Sequence, residues 1–184
     1  MRATRPLCIF LVSLFLTQFV AAQRVIIKQN PGLSSNVVLG QQYFHISESL
    51  YTEQEIGPNN FLSSSESIDK IAFFIKNPGL SPNIGQYRIL MKDVPSTLRS
   101  LGVSSYSLDE YQEVFNGMVD MSVAGALEIP LSNPYVRTAG NNLMVMIERL
   151  DSVQHFGFVF ETSNGLETET NTQSSRRYND SVRP

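Results

Sequence analysis

Between residues 24 and 160 the apolar residues of this chain come in short runs, and clusters of Gly, Pro, Asn and Ser separate one run from the next. None of these runs continues with the 3.6-residue period of a long amphipathic helix. Short β-branched and aromatic segments bounded by turn residues, at intervals of roughly 10–20 residues, are typical of a sandwich. The sequence therefore predicts an all-β fold, an antiparallel β-sandwich.

The predicted strands are short apolar or alternating segments. In several of them one face is clearly apolar, as in Gln86–Met91, where Tyr87, Ile89 and Met91 share a face and Arg88 lies on the other. The strands expected on this basis are Arg24–Lys28, Tyr43–Ile56, Ser67–Lys76, Gln86–Met91, Glu113–Met121, Ala126–Leu131, Asn142–Leu150 and Phe156–Phe160.

Local signals refine these strands. A short helix is possible at Glu53–Ile56, and the continuous apolar run Ile71–Ile75 is typical of a strand that is buried on both faces or crosses a sandwich core. Gln29–Gly40 has the composition of a loop. The capping-box spacing of Ser107–Glu110 favours one helical turn, and the pair at 116–117 (Asn-Gly) indicates a bulge or a tight turn.

The N-terminus has the organisation of a secretory signal peptide. Arg2 and Arg5 precede an apolar run from Leu7 to Val20, and Ala22 supplies the small residue before a cleavage point at Gln23. The run is shorter than the about 20 residues that span a membrane. We therefore expect a secreted or cell-surface protein with no membrane span after signal cleavage.

Three regions follow from this pattern: a signal peptide at 1–22, a β-sandwich module at 23–162, and a polar loop with a final edge strand or tail at 163–184. The stretch 163–175 is rich in Glu, Thr, Asn and Ser and has little apolar surface to bury. Arg176–Tyr178 is the last segment with strand character.

The residue inventory argues against several functions. The only cysteine, Cys8, lies in the signal segment, so the exported chain has no thiol for disulfides, catalysis or metal binding. The two histidines, His45 and His155, are far apart, and no G-x-S-x-G or H-E-x-x-H motif occurs. A net charge of −3 and the lack of a basic cluster argue against nucleic-acid binding. We therefore expect a protein that is not an enzyme.

Four segments, in order, resemble a known family. Ser47–Gly57 is similar to an "S-x-x-I-Y-x-x-x-E-I-G" segment, Ile68–Phe73 to "I-x-x-I-x-F", and Val114–Gly117 to "V-F-x-G". Ile129–Leu143 resembles an "I-x-L…P-F-x-Y-x-G-x-N-L" region. These motifs belong to secreted modules of Bacteroidetes-type bacterial surface proteins. The tryptophans that such modules often carry are absent here.

The resemblance implies a jelly-roll-like β-sandwich that serves as an adhesin or accessory domain, and it implies no catalytic residues. We therefore expect a non-catalytic module for adhesion or carbohydrate binding, with a polysaccharide or a cell-envelope protein as its partner. Exposed tyrosines can stack on sugar rings. The candidate ligand-binding residues are four tyrosines near loops or strand ends, with Glu55 from the family-like segment: Tyr106, Tyr111, Tyr135, Tyr178 and Glu55.

Two other functions stay open at this point. The chain is a structural accessory domain of a larger secreted protein, or it is a small glycoside hydrolase that uses paired carboxylates such as Glu53 and Glu55. No cofactor is expected. Calcium is possible because loop oxygens of Asp, Asn and the backbone suit it, with Asn59, Asn60, Asp120 and Asp151 as candidates and no metal motif among them.

Overall fold

The structure is a computed structural model that describes residues 31–34, 46–56, 66–79, 83–98, 108–151 and 158–163. Within this part of the chain the elements are strands and one helical turn. They are β1 (Pro31–Ser34), β2 (Ile46–Tyr51), α1 (Glu53–Ile56), β3 (Glu66–Pro78), β4 (Ile84–Pro95), β5 (Gln112–Asp120), β6 (Gly125–Arg137), β7 (Asn141–Arg149) and β8 (Phe158–Ser163).

The strands form two four-stranded antiparallel sheets. One has the order β1-β8-β3-β6 and is called the β1 sheet; the other has the order β2-β7-β4-β5 and is called the β2 sheet. Strand pairs are nested along the chain, since β4 pairs with β5, β3 with β6, β2 with β7 and β1 with β8. This is the strand order of an eight-stranded jelly roll. The all-β antiparallel sandwich is confirmed.

The two sheets enclose one main hydrophobic core. Alternate residues of β4 face inward, and Tyr87, Ile89 and Met91 are all fully buried as their spacing predicted. Ile147 of β7 lies beside Ile89 in register, and Ile75 and Ile129 face them from the β1 sheet. Period-2 alternation therefore fixes which side chains form the core.

The β2 sheet is also buried on its outer face. Leu90 and Met146 form one small apolar cluster there with Ile46, and Tyr111 packs against it. A second cluster contains Leu50, Val94 and Met144, again with Tyr111 and with Leu98. We call these two clusters the outer layer. As a result β7 is buried on both faces from Asn142 to Arg149.

Of the two arrangements predicted for Ile71–Ile75, burial on both faces is wrong, and the strand instead lines the sandwich core with Ile71, Phe73 and Ile75. Ile75 lies in the core, but Phe74 is 38% exposed and Ala72 is exposed on the outer face of the β1 sheet. The apolar run marks a strand whose outer face meets solvent. The strand covered on both sides is β7, where the outward Met144 and Met146 lie under the outer layer.

Local predictions had mixed outcomes. The strand predicted for Tyr43–Ile56 ends at Tyr51, and the short helix given as an alternative for Glu53–Ile56 is present, with Ile56 N–H donating to the Thr52 carbonyl (3.1 Å). Pro31–Ser34, assigned to a loop, is an edge strand that pairs with β8, a position that tolerates proline. The chain runs straight through Asn116 and Gly117, and the irregularity of β5 lies instead at Val114.

The turn before β5 also differs from expectation. Tyr111 N–H donates to the Leu108 carbonyl (3.2 Å), and Glu110 has a positive φ of 68°. This is a tight turn rather than a helical one, because a left-handed residue ends helical continuation. Arg24–Lys28 and Arg176–Tyr178 lie outside the described residues. In the described part no helix is long and apolar enough to cross a membrane.

Candidate binding site at the Arg137 end

Polar side chains lie together at one end of the sandwich, where β4 and β6 end. β4 ends at Pro95, β6 ends at Arg137, and β7 begins at Asn141 beside Pro95 in register. The tight turn 138–140 joins β6 to β7, and α1 lies next to it because Gly140 N–H donates to Glu53 Oε1 (3.1 Å). We call this region the Arg137 end.

Asp93 extends the inward alternation of β4 past the apolar core. Its Oδ2 accepts a hydrogen bond from Thr138 N–H (2.7 Å), which ties β4 to the turn after β6. Its Oδ1 is buried and has no hydrogen-bond partner among the described residues. Half of this carboxylate is therefore structural, and the other half is unused.

Tyr135 lies between Asp93 and Arg137 in the polar end of the core. Burial, and after it the negative charge of Asp93, raises the pKa of the Tyr135 hydroxyl to about 12. The phenol is therefore neutral at physiological pH and has an O–H to donate towards Asp93. Its ring is 7% exposed and belongs to the main core.

Arg137 is 2% exposed and continues the inward face of β6 after Tyr135. Its Nη1 donates to the Asn141 carbonyl (2.8 Å), so the guanidinium reaches across to the β2 sheet. Its Nη2 is buried and has no hydrogen-bond partner in the described part of the chain. A buried guanidinium nitrogen without an acceptor is costly, so this atom is the most unusual feature of the end.

A backbone clamp holds the end in place. Glu53 N–H donates to Asn142 Oδ1 (2.9 Å), and Asn142 Nδ2 donates to the Leu98 carbonyl (2.8 Å). Glu53 lies in the family-like segment Ser47–Gly57, and Asn142 lies in the family-like region Ile129–Leu143. Two of the motifs that carry the resemblance therefore meet here in space.

The five candidate ligand-binding residues fall in different places. Tyr135 is part of the Arg137 end, and Glu55 belongs to the adjacent helical turn, although its side chain lies outside the described part. Tyr106 and Tyr178 lie outside the described residues altogether. Tyr111 lies on the other side of the β2 sheet, against the outer layer. Their binding role stays a prediction.

Tyr111 is held by charged neighbours. Its hydroxyl donates to Glu48 Oε1 (3.0 Å), and the Lys92 ammonium lies 4.4 Å from the centre of its ring. Burial first, and then the charge of Glu48, raises the pKa of Tyr111 well above its usual value. One ring face meets the lysine and the ring packs on the outer layer, so Tyr111 closes that layer.

Arg88 joins three strands on the same face. Its Nε donates to Glu148 Oε2, and its Nη1 lies 3.9 Å from Glu113 Oε2. Glu148 has only 6% of its side chain exposed, and Glu48 is 7% exposed. These carboxylates are tied to a guanidinium and to a phenol, respectively, which is an arrangement that stabilises the sheet face.

Two of the four calcium candidates, Asp120 and Asp151, are engaged by protein partners, whereas Asn59 and Asn60 lie outside the described residues. Asp120 Oδ1 accepts the Ser122 N–H (2.9 Å), and hydrogen bonds from Ser122 lower the pKa of Asp120. Asp151 accepts hydrogen bonds from Arg149 and from Gln86 N–H. In the described ranges no three His, Cys, Asp or Glu side chains are grouped as metal ligands. Calcium binding stays a prediction.

Sequence reasoning missed Asp93 and Arg137. Each lies just beyond a predicted strand, since the strand prediction ended at Met91 in one case and at Leu131 in the other. The sequence did contain a signal, because both residues occupy inward-facing positions of the alternating pattern, beyond the point where the apolar residues end. Asn83 Oδ1, at the opposite end, is a third buried atom without a partner, but the Asn83 amide donates to the Pro78 carbonyl and carries no charge.

Comparisons of the chain with protein-family models, with curated proteins and with solved structures find no significant match. The function is therefore inferred from the geometry of the Arg137 end and from the sequence.

Proposed function

We propose that this chain is a secreted, non-catalytic β-sandwich module that binds a polysaccharide at the bacterial surface, and that it binds at the Arg137 end. The signal peptide and the family resemblance support export and a surface role. The observation that carries the binding proposal is the pair of buried, oppositely polar atoms, Asp93 Oδ1 and Arg137 Nη2, that lack partners within the described residues.

Unpartnered buried polar atoms carry a free-energy cost that a ligand can remove. A buried donor or acceptor without a partner costs about 1–3 kcal/mol, and more when it is charged. A ligand that supplies the missing partners gains this energy on binding. Thr138 and Gly140 of the overlying turn are exposed, so the pair lies close beneath the surface.

The surroundings of two strand carboxylates, Glu48 and Glu148, are more consistent with binding than with cleavage of a polysaccharide. A glycosidase needs one carboxyl group that donates a proton and a second that attacks or activates water. Glu148 is engaged by Arg88 and Glu48 by Tyr111, and both are nearly buried. Neither is presented to a substrate in this arrangement.

A glycan array and affinity electrophoresis against a panel of polysaccharides test the proposal. We expect Arg137→Met to weaken retention about tenfold or more, the equivalent of roughly 1.4 kcal/mol. Lys70→Met is the matched control, since it removes one positive charge from the same sheet, where Lys70 forms an exposed ion pair with Glu128. Equal retention of the wild type and Arg137→Met contradicts the site.

Absence of retention on every glycan contradicts polysaccharide binding itself. In that case a pull-down on cell envelopes, followed by protease or glycosidase treatment of the envelope, decides whether the partner is a protein.

A second candidate function, that of an accessory domain packed against a neighbouring domain, is favoured by one observation. Ile84 (42% exposed) and Met118 (64%) lie on the same face of the β2 sheet, and Val123 (74%) follows in the turn after β5. Exposed apolar groups that lie together are typical of contact surfaces. Met118→Lys tests it: loss of co-purification with the adjacent domain supports it, and unchanged co-purification contradicts it.

A further inference from the structure

The two unpartnered atoms at the Arg137 end have opposite hydrogen-bonding roles. Asp93 Oδ1 is a carboxylate oxygen, which can only accept a hydrogen bond at neutral pH, and Arg137 Nη2 can only donate. They do not hydrogen bond to each other, since each is without a partner. A direct contact is therefore not made, and any group that satisfies both must lie between them.

The two side chains are nevertheless neighbours. Thr138, the residue after Arg137, donates its N–H to the other oxygen of Asp93 at 2.7 Å. Tyr135 is influenced by the charges of both Asp93 and Arg137. The guanidinium also reaches Asn141, which is paired with Pro95, two positions beyond Asp93 on β4.

We propose that Asp93 and Arg137 hold one hydroxyl group of a neutral sugar and so make this module selective for neutral over acidic polysaccharides. The inference rests on the polysaccharide binding proposed above. A hydroxyl both donates and accepts, so it satisfies Asp93 Oδ1 and Arg137 Nη2 at once. A uronic acid carboxylate accepts from Arg137 but has no hydrogen to donate to Asp93 Oδ1 and is repelled by it, and the ammonium of an amino sugar donates to Asp93 but is repelled by Arg137.

The same hydrogen-bonding chemistry is available from a water molecule. Sugar and water are distinguished by whether the oxygen between the two side chains belongs to the ligand. The neighbouring turn 138–140 is held by hydrogen bonds from Thr138 N–H to Asp93 Oδ2 and from Gly140 N–H to Glu53 Oε1. The proposal therefore requires these hydrogen bonds to open when a sugar hydroxyl reaches the pair.

The experiment is a reversal of selectivity. Asp93→Asn keeps an oxygen for Thr138 N–H and places an amide N–H₂ where Oδ1 was, so the site becomes two donors. The probes are dextran, mannan and galactan, each beside its carboxymethylated derivative. We expect the wild type to prefer a neutral form by about tenfold, and Asp93→Asn to prefer the carboxymethylated form by a similar factor.

Asp69→Asn is the matched control, because it makes the same chemical change at an exposed position on β3. It should retain the wild-type ratio. Arg137→Lys should keep some neutral binding, since it keeps a donor, and Arg137→Met should lose binding to both forms. Thermal unfolding of each variant confirms that it is folded before binding is compared.

The failures are distinguishable. If the wild type binds a neutral glycan and Asp93→Asn keeps the same ratio, the hydroxyl assignment is overturned while polysaccharide binding stands. If the wild type binds none of the probes or of the wider panel, the proposed function itself fails. A crystal structure of the glycan complex with water, rather than a sugar oxygen, between Asp93 and Arg137 also overturns the inference.

Discussion

The two ends of the sandwich each bury an arginine, and they treat it differently. Arg149 and Arg137 are both 2% exposed, the largest fully buried side chains of the described residues. Arg149 donates from Nε (3.0 Å) and Nη2 (2.6 Å) to Asp151 Oδ1. Arg137 has a backbone carbonyl as its partner and an unused Nη2.

The carboxylate partner makes the Arg149 end a closed structural unit. Asp151 Oδ2 also accepts Gln86 N–H (2.7 Å), so both of its oxygens are used. At the Arg137 end the Asp93 carboxylate has one oxygen without a partner among the described residues. Two equally buried arginines therefore differ in how completely they are hydrogen bonded.

The largest expected effect is at the two aspartates. Asp151→Asn should lower the free energy of unfolding by about 3 kcal/mol, because it leaves the buried Arg149 without a counter-charge. Asp93→Asn should cost less than about 1 kcal/mol, since its retained oxygen still accepts Thr138 N–H. Urea unfolding measures both. Equal losses would mean that the two ends are held in the same way.

The arginines themselves give the next comparison. Arg149→Met should destabilise by about 2 kcal/mol, because Asp151 then loses its charged partner. Arg137→Met should change the free energy of unfolding by about 1 kcal/mol or less, because methionine has a similar volume and the buried charge that it replaces is incompletely paired. Thermal unfolding at neutral pH checks this. A larger loss for Arg137→Met than for Arg149→Met would contradict a binding role for Arg137.

One glycine at each end sharpens the contrast. An alanine Cβ at Gly85 would lie 2.8 Å from Tyr87 Cε2 and 2.9 Å from Asp151 Oδ2, so Gly85→Ala should cost about 2 kcal/mol by overpacking. At Gly140 nothing lies within 4 Å, but φ is +81°, so Gly140→Ala should cost about 1 kcal/mol of backbone strain.

Asparagine separates these two causes, because it adopts left-handed backbone more readily than alanine does. Gly140→Asn should recover most of the stability that Gly140→Ala loses. Gly85→Asn should be worse than Gly85→Ala, since it adds volume where space is lacking. Chemical denaturation of the four variants gives the ordering.

The smallest effect is a difference in alkaline titration. Burial raises the pKa of Tyr135 to about 12, so folding favours its neutral form. Its contribution to stability is present below the unfolded pKa of 10.0 and is lost as pH rises from there towards 12. Tyr87, at the Arg149 end, also has a pKa raised by burial, to a greater extent.

Near-ultraviolet absorbance of tyrosinate follows this titration. We expect Tyr135→Phe to remove a component near pH 12 that Tyr87→Phe leaves in place. If Tyr87→Phe removes that component instead, the Arg149 end is the more open of the two.

Much of the fold was predictable because burial follows simple periods. The alternation of Tyr87, Ile89 and Met91 correctly predicted the inward face of β4. Pro31–Ser34 was missed because its strand character comes from pairing with β8, a partner distant in sequence. The burial of β7 on both faces was missed for a similar reason, since the outer layer that covers it comes from segments distant in sequence.

The site was less predictable for a related reason. The strand predictions ended where the run of apolar residues ended, at Met91 and at Leu131. The real strands continue to Pro95 and Arg137, and their last inward positions carry the polar residues. A strand whose inward-facing positions change from apolar to charged residues near its end is the sequence signal for such a site. The sequence does not show, however, that the ends of β4 and β6 lie close together in the folded sandwich.

The nested pairing of the strands has a consequence for how the chain folds. The innermost hairpin joins Met91 to Gln112, whereas the outermost pair joins Pro31 to Ser163. Contact order is therefore high, and closing the larger loops costs more chain entropy before any contact offsets it. We expect slow folding in which β4–β5 can pair early and β1–β8 only after the last strand has been synthesised.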